Sequence, residues 1–356
     1  MLSRNLLSFA LSLILVLSAV MVPGGFVSAS DDGATVTLAV DSDFFSADQP
    51  VIVHVTIANP TKHSLKVLKW YTPADEVEGP LFSIEQNGQS VDYIGPLYKR
   101  PKPSHQNYIS LKAGESITFD VDIVLYYDLS VSANYSIIYD VSSWDLYSEK
   151  GNGKKDADRL TSNEIMVFIT GREYSISPAT EALSGLSGAT SFTKCTTAQQ
   201  SALTIARTDA NNYSNNASSY LNAGTQGSRY ITWFGSYNSS RYGTAASHFN
   251  SIANAMNTAN VTFDCGCKKN YYAYVYANKP YTIYLCRVFW TAPPTGTDSK
   301  AGTLIHEMSH FNTVASTNDW VYGQASAKNL AINEPQKAVT NADNHEYFGE
   351  NNPWLP

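Results

Sequence analysis

A chain of 356 residues, 43% of them hydrophobic, is long enough to bury two cores rather than one. Its formal charge of −7 divides unevenly: residues 30–185 carry 12 Lys and Arg against 22 Asp and Glu, residues 186–356 carry 11 against 9. Neither half has the basic surplus of a nucleic-acid binder, and the opposite signs favour docking of the halves through an attraction that salt screens.

Residues 1–29 read as an export signal. Arg4 lies in a short basic start, an apolar run extends from Leu6 to Val22, and Val27-Ser28-Ala29 offers small residues for cleavage. No basic stop-transfer cluster follows, and no other stretch is apolar enough to span a bilayer. The expectation is a secreted, extracellular protein without a membrane anchor.

From Ala34 to Arg172 the pattern is that of short strands. Thr35–Val40 and Val51–Ile57 alternate apolar and polar residues, Ile117–Ile123 and Tyr135–Tyr139 follow, and Asn59-Pro60 and Ala113-Gly114 punctuate them. This predicts an all-β, sandwich-like unit over residues 30–172. His54, His63 and His105 are scattered through it without acidic or histidine partners at strand spacing, and are read as ordinary histidines. Residues 173–194 are small and polar, the composition of a protease-accessible linker, and the domain boundary is placed there.

Beyond Cys195 the character changes. Thr196–Tyr213 and Ser240–Ala259 carry apolar residues at helical spacing, among them Ala202, Ala206 and Ala210, then Phe249, Ile252 and Met256. Asn260–Phe263, Tyr271–Tyr276 and Tyr281–Trp290 are aromatic, strand-like runs. Cys195, Cys265, Cys267 and Cys286 all lie in this half, and an even number in an exported chain predicts disulfides. A bridge across the single residue between Cys265 and Cys267 would be strained, so each must reach outward to Cys195 or Cys286.

The chemistry concentrates in Gly302–His310. His306 and His310 stand four apart, so a helix beginning near Asp298 or Ser299 presents both imidazoles on one face. Glu307 lies beside them, placed to take a proton from an attacking water and pass it to a leaving amine. Leu304, Ile305, Met308 and Phe311 would pack this helix into a core. A catalytic zinc needs a third protein ligand. The elongated metzincin pattern would require Gly and His where Thr313 and Ser316 stand, which excludes that class; the candidates are Asp319 and, as the alternative, the downstream Glu334.

Thr317-Asn-Asp-Trp-Val-Tyr-Gly323, following Gly302–His310, resembles the Gly-Thr-x-Asp-x-x-Tyr-Gly element of the aspzincins, the deuterolysin and peptidyl-Lys metalloendopeptidase family; Ser316 replaces its first glycine. The resemblance runs from about Cys195 to the C-terminus. It implies a zincin-type α+β catalytic domain over 195–356 that binds one Zn2+ per chain through His306, His310 and Asp319. It further implies that Tyr322 donates to the oxyanion, and that the disulfides are Cys195–Cys265 and Cys267–Cys286. The β-rich segment resembles the propeptides of bacterial members, which implies a zymogen whose propeptide is an intramolecular inhibitor or chaperone. Asp343 and Glu346 match the acidic residues of an S1′ pocket for lysine, and two carboxylates in a slot suit an ammonium. Lys69 and Lys99 are the candidates for a pseudo-substrate lysine. His345 is expected at the surface. The expected function is endopeptidase action on protein or peptide substrates; the alternatives are a gluzincin-like peptidase using Glu334 and a non-enzymatic β-sandwich binding or adhesion protein.

Overall fold

The computed structural model describes residues 33–148, 157–172 and 188–356. The expected export signal, and most of the expected linker, lie outside the described residues. The strands of the first half are β1 (Thr35–Ala39), β2 (Phe44–Phe45), β3 (Ile52–Ala58), β4 (Leu65–Leu68), β5 (Phe82–Gln86), β6 (Gln89–Ser90), β7 (Pro96–Lys99), β8 (Tyr108–Leu111), β9 (Ser116–Asp122), β10 (Ala133–Ser143), β11 (Asp158–Thr161) and β12 (Ile165–Ile169). The second half runs β13 (Thr190–Thr193), α1 (Thr197–Asn222), α2 (Ser228–Phe234), α3 (Ser239–Thr258), β14 (Val261–Asp264), β15 (Ala273–Tyr276), β16 (Thr282–Leu285), α4 (Arg287–Thr291), α5 (Lys300–His310), α6 (Gln324–Asn333), α7 (Pro335–Ala338) and α8 (Ala342–Glu350). No described helix is long and apolar enough to cross a membrane.

The alternation read in the sequence becomes a β-rich N-terminal region. A sheet ordered β1-β3-β9 and another ordered β2-β12-β10-β5-β6, with β11 on β10, turn their apolar faces to one core. In β3 the residues Val53, Val55 and Ile57 point inward while His54 and Thr56 stay partly exposed, the period-two consequence of a half-buried strand. Both sheets supply the core, through Val55 and Ile57 on one side and Tyr135 and Ile137 on the other.

The C-terminal region is mainly helical around a mixed sheet ordered β13-β14-β16-β15-β7. Its outermost strand, β7, comes from the N-terminal half, and Trp144 of that half joins the helical core. Residues Thr190–Thr193, which composition assigned to the linker, pair with β14 in parallel register. Helix α1 starts on a capping box of Thr196 and Gln199 and runs nine residues past the predicted end at Tyr213, since Ala217 and Leu221 continue its buried stripe. The run Tyr281–Trp290 is not one strand: after Leu285 the chain turns at Cys286 into helix α4. The disulfides are Cys195–Cys265 and Cys267–Cys286, and they fasten β14 and the loop after it to the start of α1 and of α4.

Helix α5 lies at the centre, every residue from Ala301 to His310 buried. Ser299 caps its start, its hydroxyl accepting from the Gly302 amide. The carboxylate of Glu350 at the end of α8 accepts from the amide and hydroxyl of Ser299, at 2.9 and 2.8 Å. Burial, with Glu346 nearby, pushes the Glu350 carboxyl up to about 9. Gly302 makes this approach possible, because a Cβ there would stand 2.0 Å from Glu350 Oε1. Gly-to-Ala inside a helix ordinarily stabilises by about 1 kcal/mol. Gly302→Ala is expected to do the opposite, lowering stability by about 1–3 kcal/mol through overpacking; thermal unfolding followed by circular dichroism tests the sign, and a raised Tm would show that Glu350 is free to move aside.

Candidate metal centre and active site

Helix periodicity brings the rings of His306 and His310 together, with centroids 4.9 Å apart and planes nearly perpendicular. The chain then reverses after Phe311, passing through a left-handed residue at Ser316 (φ 48°). Thr317 is tied back to α5 by its amide on the Ser309 carbonyl and by a 2.6 Å contact between the two hydroxyls. This reversal delivers Asp319, whose Oδ1 lies 3.1 Å from His306 Nε2 and 3.4 Å from His310 Nε2. His310 Nδ1 donates to the Thr317 carbonyl at 2.9 Å, which fixes the tautomer and leaves the Nε2 lone pair facing Asp319.

His306 Nε2, His310 Nε2 and both Asp319 oxygens are buried without a hydrogen-bond partner. Their close approach therefore lacks hydrogen-bond alignment: the lone pairs converge on a shared point. Two imidazoles and a carboxylate gathered within 4.8 Å form the donor set that zinc takes, and the chain's residues fit such an ion. The Glu307 carboxylate is likewise buried and unpartnered, and burial pushes it up to about 7. Tyr322 is buried beside the cluster, and burial holds its phenol well above the usual range, protonated and able to donate.

A second group of possible ligands, His306, Asp343 and Glu346, is occupied differently. The Lys99 ammonium sits 2.5 Å from Glu346 Oε2, 3.5 Å from Asp343 Oδ1 and 3.5 Å from Asp298 Oδ1. Burial opposes its charge, but these carboxylates override it and hold the ammonium protonated. Asp343 Oδ1 also lies 2.8 Å from His306 Nδ1, so one carboxylate touches both the lysine slot and the edge of the His306 ring that faces away from Asp319. Asp343 and Glu346 lie on helix α8 rather than in a loop; their i, i+3 spacing is the signal for a shared helical face.

Two helical imidazoles one turn apart, a carboxylate that completes the triangle and a glutamate beside them are the arrangement of a zinc-dependent peptidase. The family described as "Lysine-specific metallo-endopeptidase" matches residues 217–350. An "Extracellular protease" of Aeromonas hydrophila is 44% identical over 310 residues, covering 85% of this chain and 88% of that protein. A "Peptidyl-Lys metalloendopeptidase" of Armillaria mellea is 35% identical over 312 residues, covering 85% and 87%. A solved zinc peptidase from Grifola frondosa is 50% identical over 46% of this chain and all of its own, with a TM-score of 0.44. The chain belongs to the lysine-specific metallo-endopeptidase family and is a zinc metalloendopeptidase acting on proteins or peptides. The reading as a non-enzymatic adhesion protein is thereby set aside.

The other sequence candidates fall elsewhere. Glu334 follows α6 and pairs with Lys337 at 2.6 Å, outside both ligand groups. Lys69 pairs with Asp75 at 3.7 Å, away from the acidic slot. Asp298 figures in the sequence only as a possible helix start, and Asn341 has no role there. Asn341 Oδ1 accepts from the amides of Trp320 and Val321, fixing the Asp319–Tyr322 segment on the start of α8. No spacing rule announces that contact, although an Asn before a helical run is an ordinary capping signal.

His345 is not at the surface but fully buried, against the rings of Phe234, Phe249 and His248. Its Nδ1 donates to the Asn341 carbonyl and its Nε2 accepts from His248 Nδ1. Burial, reinforced by His248, lowers it to about 3. The folded value lies below the unfolded one, so the unfolded chain binds the proton first. The stabilisation is complete above the unfolded value, near 6.5, and is lost as pH falls towards 3. In that window the slope contributed by His345 is at most about 1.4 kcal/mol per pH unit; His345→Gln should flatten the acid limb of the stability curve, measured by urea unfolding from pH 7 to 4. Zinc binding to the folded chain should raise Tm, by a stabilisation of about 4 kcal/mol at a thousandfold excess over Kd. Chelation should reverse the rise and His310→Ala should abolish it; a rise that survives in His310→Ala would place the metal elsewhere.

Proposed function

We propose that His306, His310 and Asp319 bind a single catalytic zinc, that Glu307 is the general base and Tyr322 the oxyanion donor, and that Asp343 and Glu346, with Asp298, form the S1′ pocket for lysine. Zinc so held supplies a Lewis acid that acidifies water and polarises the substrate carbonyl. Glu307, raised towards neutrality, takes a proton from the attacking water and returns it to the leaving amine. Tyr322 donates to the carbonyl oxygen as negative charge develops there. The carboxylates of the pocket receive the ammonium of the residue after the cut bond. The preference for lysine accords with the names of the fungal relatives, which are peptidyl-Lys metalloendopeptidases.

The observation that carries this reading is Lys99. A lysine of the chain's own N-terminal half lies in the acidic slot, on a strand that runs along β15. We read residues 1–29 as the export signal of a secreted protein, 30–172 as a propeptide that keeps the precursor latent, 173–194 as the region of activating cleavage and 195–356 as the catalytic domain. Arg100, next to Lys99, donates to the Tyr322 phenol at 2.8 Å and to the Glu78 carbonyl, which clamps the strand across the site.

Two variants test the assignment. Glu307→Ala in the processed enzyme is expected to lower kcat at least about a hundredfold while zinc content stays at one per chain; retained activity would remove Glu307 from the mechanism. Lys99→Ala in the full chain should give a precursor that cleaves a lysine-containing reporter before processing, whereas Lys69→Ala should stay latent.

A further inference from the structure

The strand that covers the site places Lys99 in the acidic slot and the carbonyl before it against Tyr322. β7 pairs antiparallel with β15, Lys99 opposite Ala273, Tyr98 opposite Tyr274 and Leu97 opposite Val275, and the Tyr272 amide donates to the Lys99 carbonyl at 3.0 Å. The carbonyl immediately before the slot-bound lysine, that of Tyr98, accepts from the Tyr322 phenol at 2.9 Å. An inhibitory segment that merely blocked the cleft would have no need to present a peptide carbonyl to the oxyanion donor and the following side chain to the specificity pocket. A cavity of about 560 Å³ is lined by Leu97 and Arg100 on either side of the Tyr98–Lys99 pair, and by Asp319 and Tyr322, and is roomy enough to hold water.

We propose that the Tyr98–Lys99 peptide bond is itself cut by the chain's own active site, and that the two pieces of the N-terminal region stay docked after the cut. The proposal rests on the reading of the Lys99 slot as the S1′ pocket. Water adds across the bond: its oxygen joins the Tyr98 carbonyl carbon, the bond to the Lys99 nitrogen breaks, and both water protons, the first carried by Glu307, end on that nitrogen, which leaves a Tyr98 carboxylate and a Lys99 α-ammonium. No other reactant is needed.

The fold explains why such a cut would not release the segment. The strands before the bond pair with strands after it: β3 with β9 from Ile52–Asp122 to Ala58–Ser116, β4 with β8, and β5 with β10. These pieces share one buried core. The new amine is kept near the new carboxylate by the Lys99 ion pairs and by the Arg100 contacts to Glu78 and Tyr322. Groups held in that way recombine with the high effective concentration of an intramolecular reaction, so hydrolysis and resynthesis compete and the cut complex persists. The N-terminal region then acts as a slow, tightly held substrate, and latency outlasts the first cut.

The test uses the full chain loaded with one equivalent of zinc, sampled over time, unfolded in denaturant and analysed for new N-termini by mass spectrometry. A fragment beginning at Lys99 is expected, at a rate unchanged across about a tenfold range of chain concentration, because an intramolecular step does not depend on it. Before denaturation the cut and uncut chains should elute together in gel filtration. Glu307→Gln should give no such fragment, and Lys99→Ala should reduce cutting at this bond by about tenfold or more. If processed enzyme from the same preparation cuts an unrelated protein on the amino side of lysine while the full chain never yields the Lys99 terminus, the proposal is overturned and the pocket assignment stands. If the processed enzyme shows no preference for lysine, the pocket assignment falls, and with it the basis of the proposal. Fragments that separate in gel filtration would refute the persistence of the cut complex.

Discussion

The organising constraint of this molecule is the cost of burying ionisable groups without compensation. Lys99, His306, Glu307, His310, Asp343 and Glu346 are each no more than 1% exposed, and an isolated charge so placed would be strongly unfavourable. The structure answers by convergence. The carboxylates of α8 meet the ammonium of β7, Asp319 meets two imidazoles, and Glu350 takes up the amide and hydroxyl that begin α5. The clustered atoms His306 Nε2, His310 Nε2 and both Asp319 oxygens, with both Glu307 oxygens, are among the buried side-chain atoms of the described residues left without a hydrogen-bond partner.

Because compensation comes from both halves, neither half is complete alone. The acidic slot lies in the C-terminal region, but its cation is supplied by the N-terminal one. Arg100 shows the same dependence: it lies over the rings of Trp70 and Tyr98 from its own half and of Tyr271 and Tyr322 from the other, while Glu78 accepts from Arg100 on one side and from Lys269 and Tyr271 on the other. The central pair runs against the net charges of the halves, because Lys99 of the acidic half meets Asp343 and Glu346 of the other. Such pairs are insulated from the salt that would weaken a diffuse attraction.

What could be read in the sequence follows the range of the interactions. The His306–His310 spacing is a property of a single helical turn, so it was legible without any fold. The strand alternation from Thr35 to Ile123 was legible for the same reason. Asp319 and Tyr322 required the resemblance, since their approach depends on a reversal held by Thr317 and Asn341. Asp343 and Glu346 came with the resemblance, but the polar composition of their segment, Asn341-Ala-Asp-Asn-His-Glu, hides a helix whose buried face is acidic and meets a cation. His345 was misplaced on the same ground. A histidine beside acidic residues looks solvated until the packing of Phe234 and Phe249 around it is known. Lys99 could be narrowed only to one of two lysines, because its selection is made by the pairing of β7 with β15 across the two halves.

That pairing also bears on folding. In the sheet β13-β14-β16-β15-β7, removal of the N-terminal half turns β15 into an edge. An exposed edge with free amides and carbonyls is a template for pairing with any extended chain, a hazard while the protein folds and a necessity when it binds a peptide. The aromatic face of that edge, with Tyr274 stacked on Tyr284 and Tyr276 beside them, increases both tendencies. A strand that occupies the edge until the core around α5 has formed would suppress the hazard and preserve the template. Inhibition and assistance in folding are then the same contact, acting at different times, and the proposed inhibitor and chaperone roles of the N-terminal region need no separate structures.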